Sequence, residues 1–152
     1  MNIAARLDQL GLTLPPSPAP AAHYLPWRAA KKTIYLAGQT PKEGSVLKYQ
    51  GQIGRDLTVA QGYDAATLCA MRLLSALQDA VGDLDRVERV VKVTVFVNTA
   101  SDFTQHAQVA NGASDLLCAL FGDAGQHARS AVGASALPGN AAVEIEMIAQ
   151  RV

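Results

Sequence analysis

The spacing of hydrophobic positions changes along the chain, and each change marks an element. Ile3, Leu7 and Leu10 recur at helical intervals and Gly11 is a natural stop, so the chain opens with a short helix. Pro15-Pro16-Ser17-Pro18-Ala19-Pro20 then reads as an extended arm, and helix and arm together occupy residues 1–22. His23–Trp27 and Thr33–Ala37 read as two short strands, with the turn-like pair Lys31-Lys32 before the second. Leu47–Ile53 reads as a further strand bracketed by Gly44 and Gly54, although Gly51 weakens it.

Thr58-Val59-Ala60-Gln61 matches a capping box. Ala66, Leu68, Met71, Leu73, Leu74, Leu77 and Val81 follow at helical spacing up to Gly82, which predicts a helix of about 23 residues with a stripe wide enough to lie on a sheet. Val87–Val97 sets Val91, Val93, Val95 and Val97 against Val90, Lys92, Thr94 and Phe96, the clearest strand of the chain and the one expected at the centre. Val109, Ala113, Leu116, Leu117, Leu120 and Phe121 trace a second long helix closed by Gly122. Arg129–Ala134 and Ala142–Ala149 alternate as strands, and Leu137-Pro138-Gly139-Asn140 supplies the turn residues for an antiparallel reversal between them. The order β-β-(β)-α-β-α-β-β predicts an α+β fold, a mixed sheet with two long helices on one face.

That reversal would place Arg129 and Glu144 on neighbouring strands, where a cation and a carboxylate can share a pocket. The same spacing also fits a surface cation and a solvated strand-face carboxylate. Length and composition narrow the classes. At 152 residues one domain spanning 1–152 suffices, and 49% hydrophobic against 17% charged residues leaves little solvent-facing coat, so a homo-oligomer is expected. Thirteen cations balance thirteen anions, which argues against nucleic acid or an acidic membrane surface as partner. No stretch has the roughly 18 apolar residues of a membrane span, and no secretory leader is evident. Cys69 and Cys118 both sit in helical patterns without metal spacing and read as buried reduced thiols, so the expected compartment is the cytoplasm. His23, His106 and His127 lack ligand spacing, and no nucleotide, zinc or nucleophile-elbow motif is present, so neither metal nor bound cofactor is expected.

Four blocks in order carry a resemblance that covers nearly the whole chain. They are Tyr35-Leu36-Ala37-Gly38-Gln39-Thr40-Pro41, Val91-Lys92-Val93-Thr94-Val95-Phe96-Val97, Ala128-Arg129-Ser130-Ala131-Val132 with Leu137-Pro138, and Val143-Glu144-Ile145-Glu146; Tyr24 precedes them. With these the chain resembles the RidA/YjgF family of reactive enamine/imine deaminases, also labelled endoribonuclease L-PSP. The resemblance implies a chorismate-mutase-like α+β fold and a homotrimer with its sheets packed inward, with ligand clefts at the subunit interfaces. It places Arg129 on the family's substrate-carboxylate arginine and Glu144 on its conserved glutamate, the group that positions or activates the attacking water. Tyr24 and Asn111 fall on the cleft tyrosine and asparagine, and Ala37, Gly38 and Ala131 on strand positions that face the ligand.

Three departures stand out. Ala37 replaces a serine and Ala131 a cysteine of the best-known deaminase branch, and Asn111 aligns only after about three extra residues beyond Asp102-Phe103. A more apolar cleft is therefore expected. The implied activity is hydrolysis of 2-imino acids, of the 2-iminobutanoate or 2-iminopropanoate type, to 2-oxo acids and ammonia. The alternatives are a regulatory member that binds a small carboxylate without turnover, and an endoribonuclease or translation inhibitor.

Overall fold

The computed structural model describes residues 1–20 and 22–152; Ala21, inside the expected proline-rich arm, lies outside the described residues. Strands β1 (Trp27–Ala30), β2 (Thr33–Gln39), β5 (Val87–Asn98), β6 (Ala128–Ala134) and β7 (Val143–Arg151) form a five-stranded sheet in the order β1-β2-β7-β5-β6. Strands β3 (Lys42–Glu43) and β4 (Val46–Leu47) make a separate small hairpin. Helices α2 (Val59–Val81) and α3 (His106–Phe121) pack on each other, α2 also lies against β2 and β7, and short α1 (Ile3–Gln9) docks on α3. This is the expected mixed α+β architecture with two long helices.

The helices form where their periodicity puts them. The Thr58 hydroxyl accepts from Gln61 N–H at 3.1 Å while the Gln61 side chain accepts from Thr58 N–H at 2.8 Å, the reciprocal cap expected for α2. Gly82, at φ 82°, ends it. Leu73, Leu74, Leu77, Val109, Leu117, Leu120 and Phe121 are buried against Val93, Val95, Val97, Val143, Ile145 and Met147, so one core fills the space between helices and sheet. Gly112 allows α3 to come close: a β-carbon there would clash with the Tyr63 carbonyl oxygen. The Thr67 hydroxyl reaches the Tyr63 and Gly112 carbonyls, each at 3.1 Å, and ties the two helices at that point.

The expected hairpin of β6 with β7 does not form. β6 pairs in parallel with β5, a connection that needs a crossover and receives it from α3, while β7 enters antiparallel between β2 and β5. Burial decides the order. Val143, Ile145, Met147 and Ala149 are almost wholly inaccessible and require neighbours on both edges, whereas β6, with Ala128, Ser130, Val132 and Gly133 exposed, tolerates the sheet edge. Residues 135–142 cross over the end of β5, held by buried Asn98, whose Nδ2 donates to Asn140 Oδ1 and the Ala141 carbonyl at 3.1 Å each. Leu137-Pro138-Gly139-Asn140 is thus a bend within a longer crossing.

Three smaller expectations also shift. The Lys31-Lys32 turn, with Lys31 at φ 56°, fixes the pairing Ala30↔Thr33 and so places β1 at Trp27–Ala30 instead of His23–Trp27, with Pro26, which has no N–H to donate, left outside. Leu47–Ile53 is not a strand, because Gly51 at φ 121° bends the chain over Asp56. Cys118 is exposed, since Leu116, Leu117 and Leu120 take the inward stripe of α3, while Cys69 is buried as expected.

The helix contact at Gly112 yields a test. Gly112→Ala should lower stability by about 1–3 kcal/mol through overpacking, which at this chain length is several degrees of melting temperature. Calorimetry on the purified variant checks it, and an unchanged Tm would contradict the close approach.

Candidate functional site

The residues singled out from sequence fall into two groups. Arg129 lies on edge strand β6 opposite Val93, so its side chain is on the helix side of the sheet, toward α3. Its Nη1 donates to Asn111 Oδ1 at 2.9 Å and to Ser114 Oγ at 3.1 Å, two residues three apart on α3. Ser114 Oγ is 2.9 Å from His127 Nε2, and His127 Nδ1 is 2.6 Å from the Gly125 carbonyl oxygen. A carbonyl only accepts, so Nδ1 carries a proton; in the neutral ring Nε2 accepts from the Ser114 hydroxyl, which accepts from Arg129. Donors therefore run in one direction from the guanidinium to the backbone, which fixes its plane. Ser114 and His127 were not legible as site residues. Their signal, three residues after Asn111 and two before Arg129, has meaning only once β6 is known to pack beside α3. Ala131 is two residues along the same face as Arg129 and packs partly on the core.

The second group surrounds a cleft of about 260 Å³ at the end of the sheet where β2 departs and β7 begins; its walls include Tyr24, Gly38, Lys42, Arg72, Pro138 and Glu144. A bulge in β2 between Leu36 and Gln39 swings Ala37 and Gly38 out of simple register with β7. Gly38 then comes so near Glu144 that a β-carbon on it would stand 2.5 Å from Oε1. Only glycine leaves the carboxylate its place. Burial raises the Glu144 pKa above the ordinary glutamate value, and the neighbouring Glu146 adds to the rise. Arg72, from the middle of α2, donates from Nη1 to the Thr40 carbonyl at 2.8 Å, and burial lowers its pKa. The N-terminal arm completes the cleft. Ser75 Oγ donates to the Pro15 carbonyl and Ser17 Oγ to Asp79 Oδ2, each at 2.7 Å, and Pro18 and Ala19 close one side. Ala37 sits beside this cleft and bonds through its backbone N–H to the Pro26 carbonyl at 2.9 Å. Lys42 and Arg72 reach the cleft from other elements and give it two cations.

The two groups do not meet within one chain. Arg129 is level with Val93 and Glu144 with Phe96, on opposite sides of β5. Side chains alternate along a strand, so a three-residue offset puts Arg129 and Glu144 on opposite faces of the sheet; two strand spacings add to a separation of about 14 Å. Two larger hollows, of about 400 and 410 Å³, lie elsewhere, one between the arm and β1 and one at the start of α3, and neither contains Arg129 or Glu144. Among the described residues, no three His, Cys, Asp or Glu side chains gather as a metal centre. No helix there is long and apolar enough to cross a membrane.

A family model described as "YjgF/chorismate mutase-like, putative endoribonuclease" matches residues 4–150. The chain is 46% identical to protein TCP17 of Trypanosoma cruzi over 150 residues, spanning 98% of this chain and 94% of that protein. It is 30% identical over 151 residues to a Lactococcus lactis protein named "Putative regulator AldR", with 99% and 98% of the two chains covered. Its structure is similar to that of Atu1372 of Agrobacterium tumefaciens, a protein described as of unknown function, with a TM-score of 0.93 at 40% identity over 99% of this chain and 92% of that one.

The raised Glu144 pKa gives a signed expectation. The folded state holds the proton more tightly than the unfolded chain, so Glu144 should cost stability as pH rises from the ordinary glutamate value, 4.5, through its own raised one. Denaturant unfolding of wild type and Glu144→Gln across that range should show the wild type losing ground to the variant with rising pH. A difference that is flat, or that grows in favour of wild type, would contradict the desolvated carboxylate.

Proposed function

The chain belongs to the YjgF/chorismate mutase-like family, and on that premise we propose that it hydrolyses reactive 2-imino acids and their enamine tautomers to 2-oxo acids and ammonia. The observation that carries this reading is the Glu144 cleft: a carboxylate held toward its protonated form beside Tyr24, with space for a small ligand. The site is shared between subunits of a homotrimer. Arg129, aligned by Asn111, Ser114 and His127, takes the ligand's carboxylate on its planar fork, and the neighbour's Glu144 serves the reacting carbon. Arg129 and Glu144 are thus the catalytic pair; Tyr24, Asn111 and the backbone at Ala37, Gly38 and Ala131 shape and orient.

The chemistry balances with one water. Glu144 donates its proton to the imine nitrogen, water adds to the electrophilic carbon, and the carboxylate accepts the water's proton to give a carbinolamine. That proton returns to nitrogen as the C–N bond breaks and ammonia leaves, and Glu144 accepts the hydroxyl proton as the carbonyl forms, so it ends as it began. Tyr24, which lines the cleft, takes the role of bonding the departing nitrogen. No redox partner is needed.

Open-face Tyr35 and Val132 are 49% and 45% exposed in the single chain, and trimer packing covers such side chains. A second reading, a carboxylate-binding regulator without turnover, is favoured by Ala37 and Ala131, which remove two side-chain contacts, and by the name of the Lactococcus relative. Zero net charge weighs against an endoribonuclease.

Three measurements test the proposal. Ammonia release from imines generated in situ by an amino-acid oxidase should fall by roughly 10²-fold or more in Glu144→Gln while binding of 2-oxobutanoate changes little, and Arg129→Lys should weaken that binding. Unchanged hydrolysis by folded Glu144→Gln would refute the catalytic assignment. Light scattering should give a mass near three times 16.0 kDa. A monomer at micromolar concentration would remove the shared site.

A further inference from the structure

The proposed reaction uses one guanidinium, Arg129, and leaves a second unexplained. Arg72 stands half-buried in the wall of the cleft that holds Glu144, on the face of α2 that looks toward the end of β2. Thr40 takes one of its five N–H donors. The ion pairs among the described residues join Lys48 to Glu43, Arg55 to Asp56 and Arg89 to Glu88, and none involves Arg72. Removing a guanidinium from water without an anion beside it costs free energy, and a Met or Leu at that helix position would fill the volume without that cost. Lys42 lines the same cleft and adds a second cation. A single α-carboxylate, already assigned to Arg129, gives neither of them a partner.

We infer that the ligand of this cleft carries a second acidic group, a side-chain carboxylate that pairs with Arg72, so that the preferred substrates are imines of dicarboxylic amino acids. The inference rests on the Glu144 cleft being the reaction site. The planar fork left free after the Thr40 bond matches a carboxylate in two-point contact. A charged ligand group at one end and a reacting carbon beside Glu144 at the other suits a small cleft, in which a few polar groups fix orientation. Arg72 is then a specificity-determining residue, and its bond to Thr40 holds it aimed into the cleft.

Calorimetry with 2-oxoglutarate and 2-oxobutanoate, the acidic and neutral 2-oxo acids, reads the preference directly. Wild type should bind 2-oxoglutarate about tenfold or more tightly than 2-oxobutanoate, the scale of one charge-assisted contact. Arg72→Met should bring that ratio close to one, and Arg72→Lys should leave an intermediate value. Equal binding of the two acids by wild type, or a ratio that survives in Arg72→Met, overturns the inference. Should Arg72→Met fail to fold, the wild-type ratio and Arg72→Lys decide it. An ammonia assay on the imines of glutamate and alanine separates this inference from the reaction. Release from both without preference refutes the role of Arg72 alone, whereas no release with the binding ratio intact refutes the hydrolysis and keeps the dicarboxylate site.

Discussion

The position of β7 is the constraint on which the rest depends. Its inward residues Val143, Ile145, Met147 and Ala149 are excluded from water, so it must be paired on both edges, and β2 and β5 provide the pairing. Once β7 is central, β6 has only the free edge of β5, and the crossover through α3 follows. The same placement puts β5 between Arg129 and Glu144. Alternation along the strands then assigns them to opposite faces, and no side-chain rotation brings them together. A site that uses both must be assembled from two chains.

Each half of the proposed site is supported by features that have no purpose in the core. Arg129 is held by a one-way hydrogen-bond series through Ser114 and His127 to the Gly125 carbonyl, which limits a flexible side chain to one plane. Glu144 is crowded by Gly38 and kept from water at the cost of a raised pKa. Arg72 is withdrawn from water in the same cleft. Desolvated groups of this kind lower stability when empty of ligand and strengthen electrostatics when one binds, which is why they gather where chemistry is done.

Much of this was legible in the sequence, and the limit is physical. Helix α2 with its cap, α3 and strand β5 follow from local periodicity, and local signals survive folding where packing agrees with them. The partner of a strand is not a local property. The residues of β6 and β7, with Leu137-Pro138-Gly139-Asn140 between them, fit a hairpin equally well, and only the burial of β7 on both edges rules it out. Arg72 reads on its own as an outward helix residue, and its role appears when the β2 bulge and the proline-rich arm close around it. His127 likewise shows no ligand spacing in the sequence, and its bonds to Ser114 and the Gly125 carbonyl follow only from β6 packing beside α3. Cys118 looked buried because the helical stripe at that point is broad enough to include it.

The proposed shared site is tested most directly by mixing two variants, each expected to be inactive. Subunits carrying Arg129→Ala and subunits carrying Glu144→Gln, co-expressed in equal amounts, should assemble oligomers in which some clefts receive an intact Arg129 from one chain and an intact Glu144 from the other. Imine hydrolysis should then return to about a quarter of the wild-type rate, the share of clefts that random association leaves whole. Activity no higher than that of either variant alone, in oligomers shown to contain both chains, would contradict a site divided between subunits.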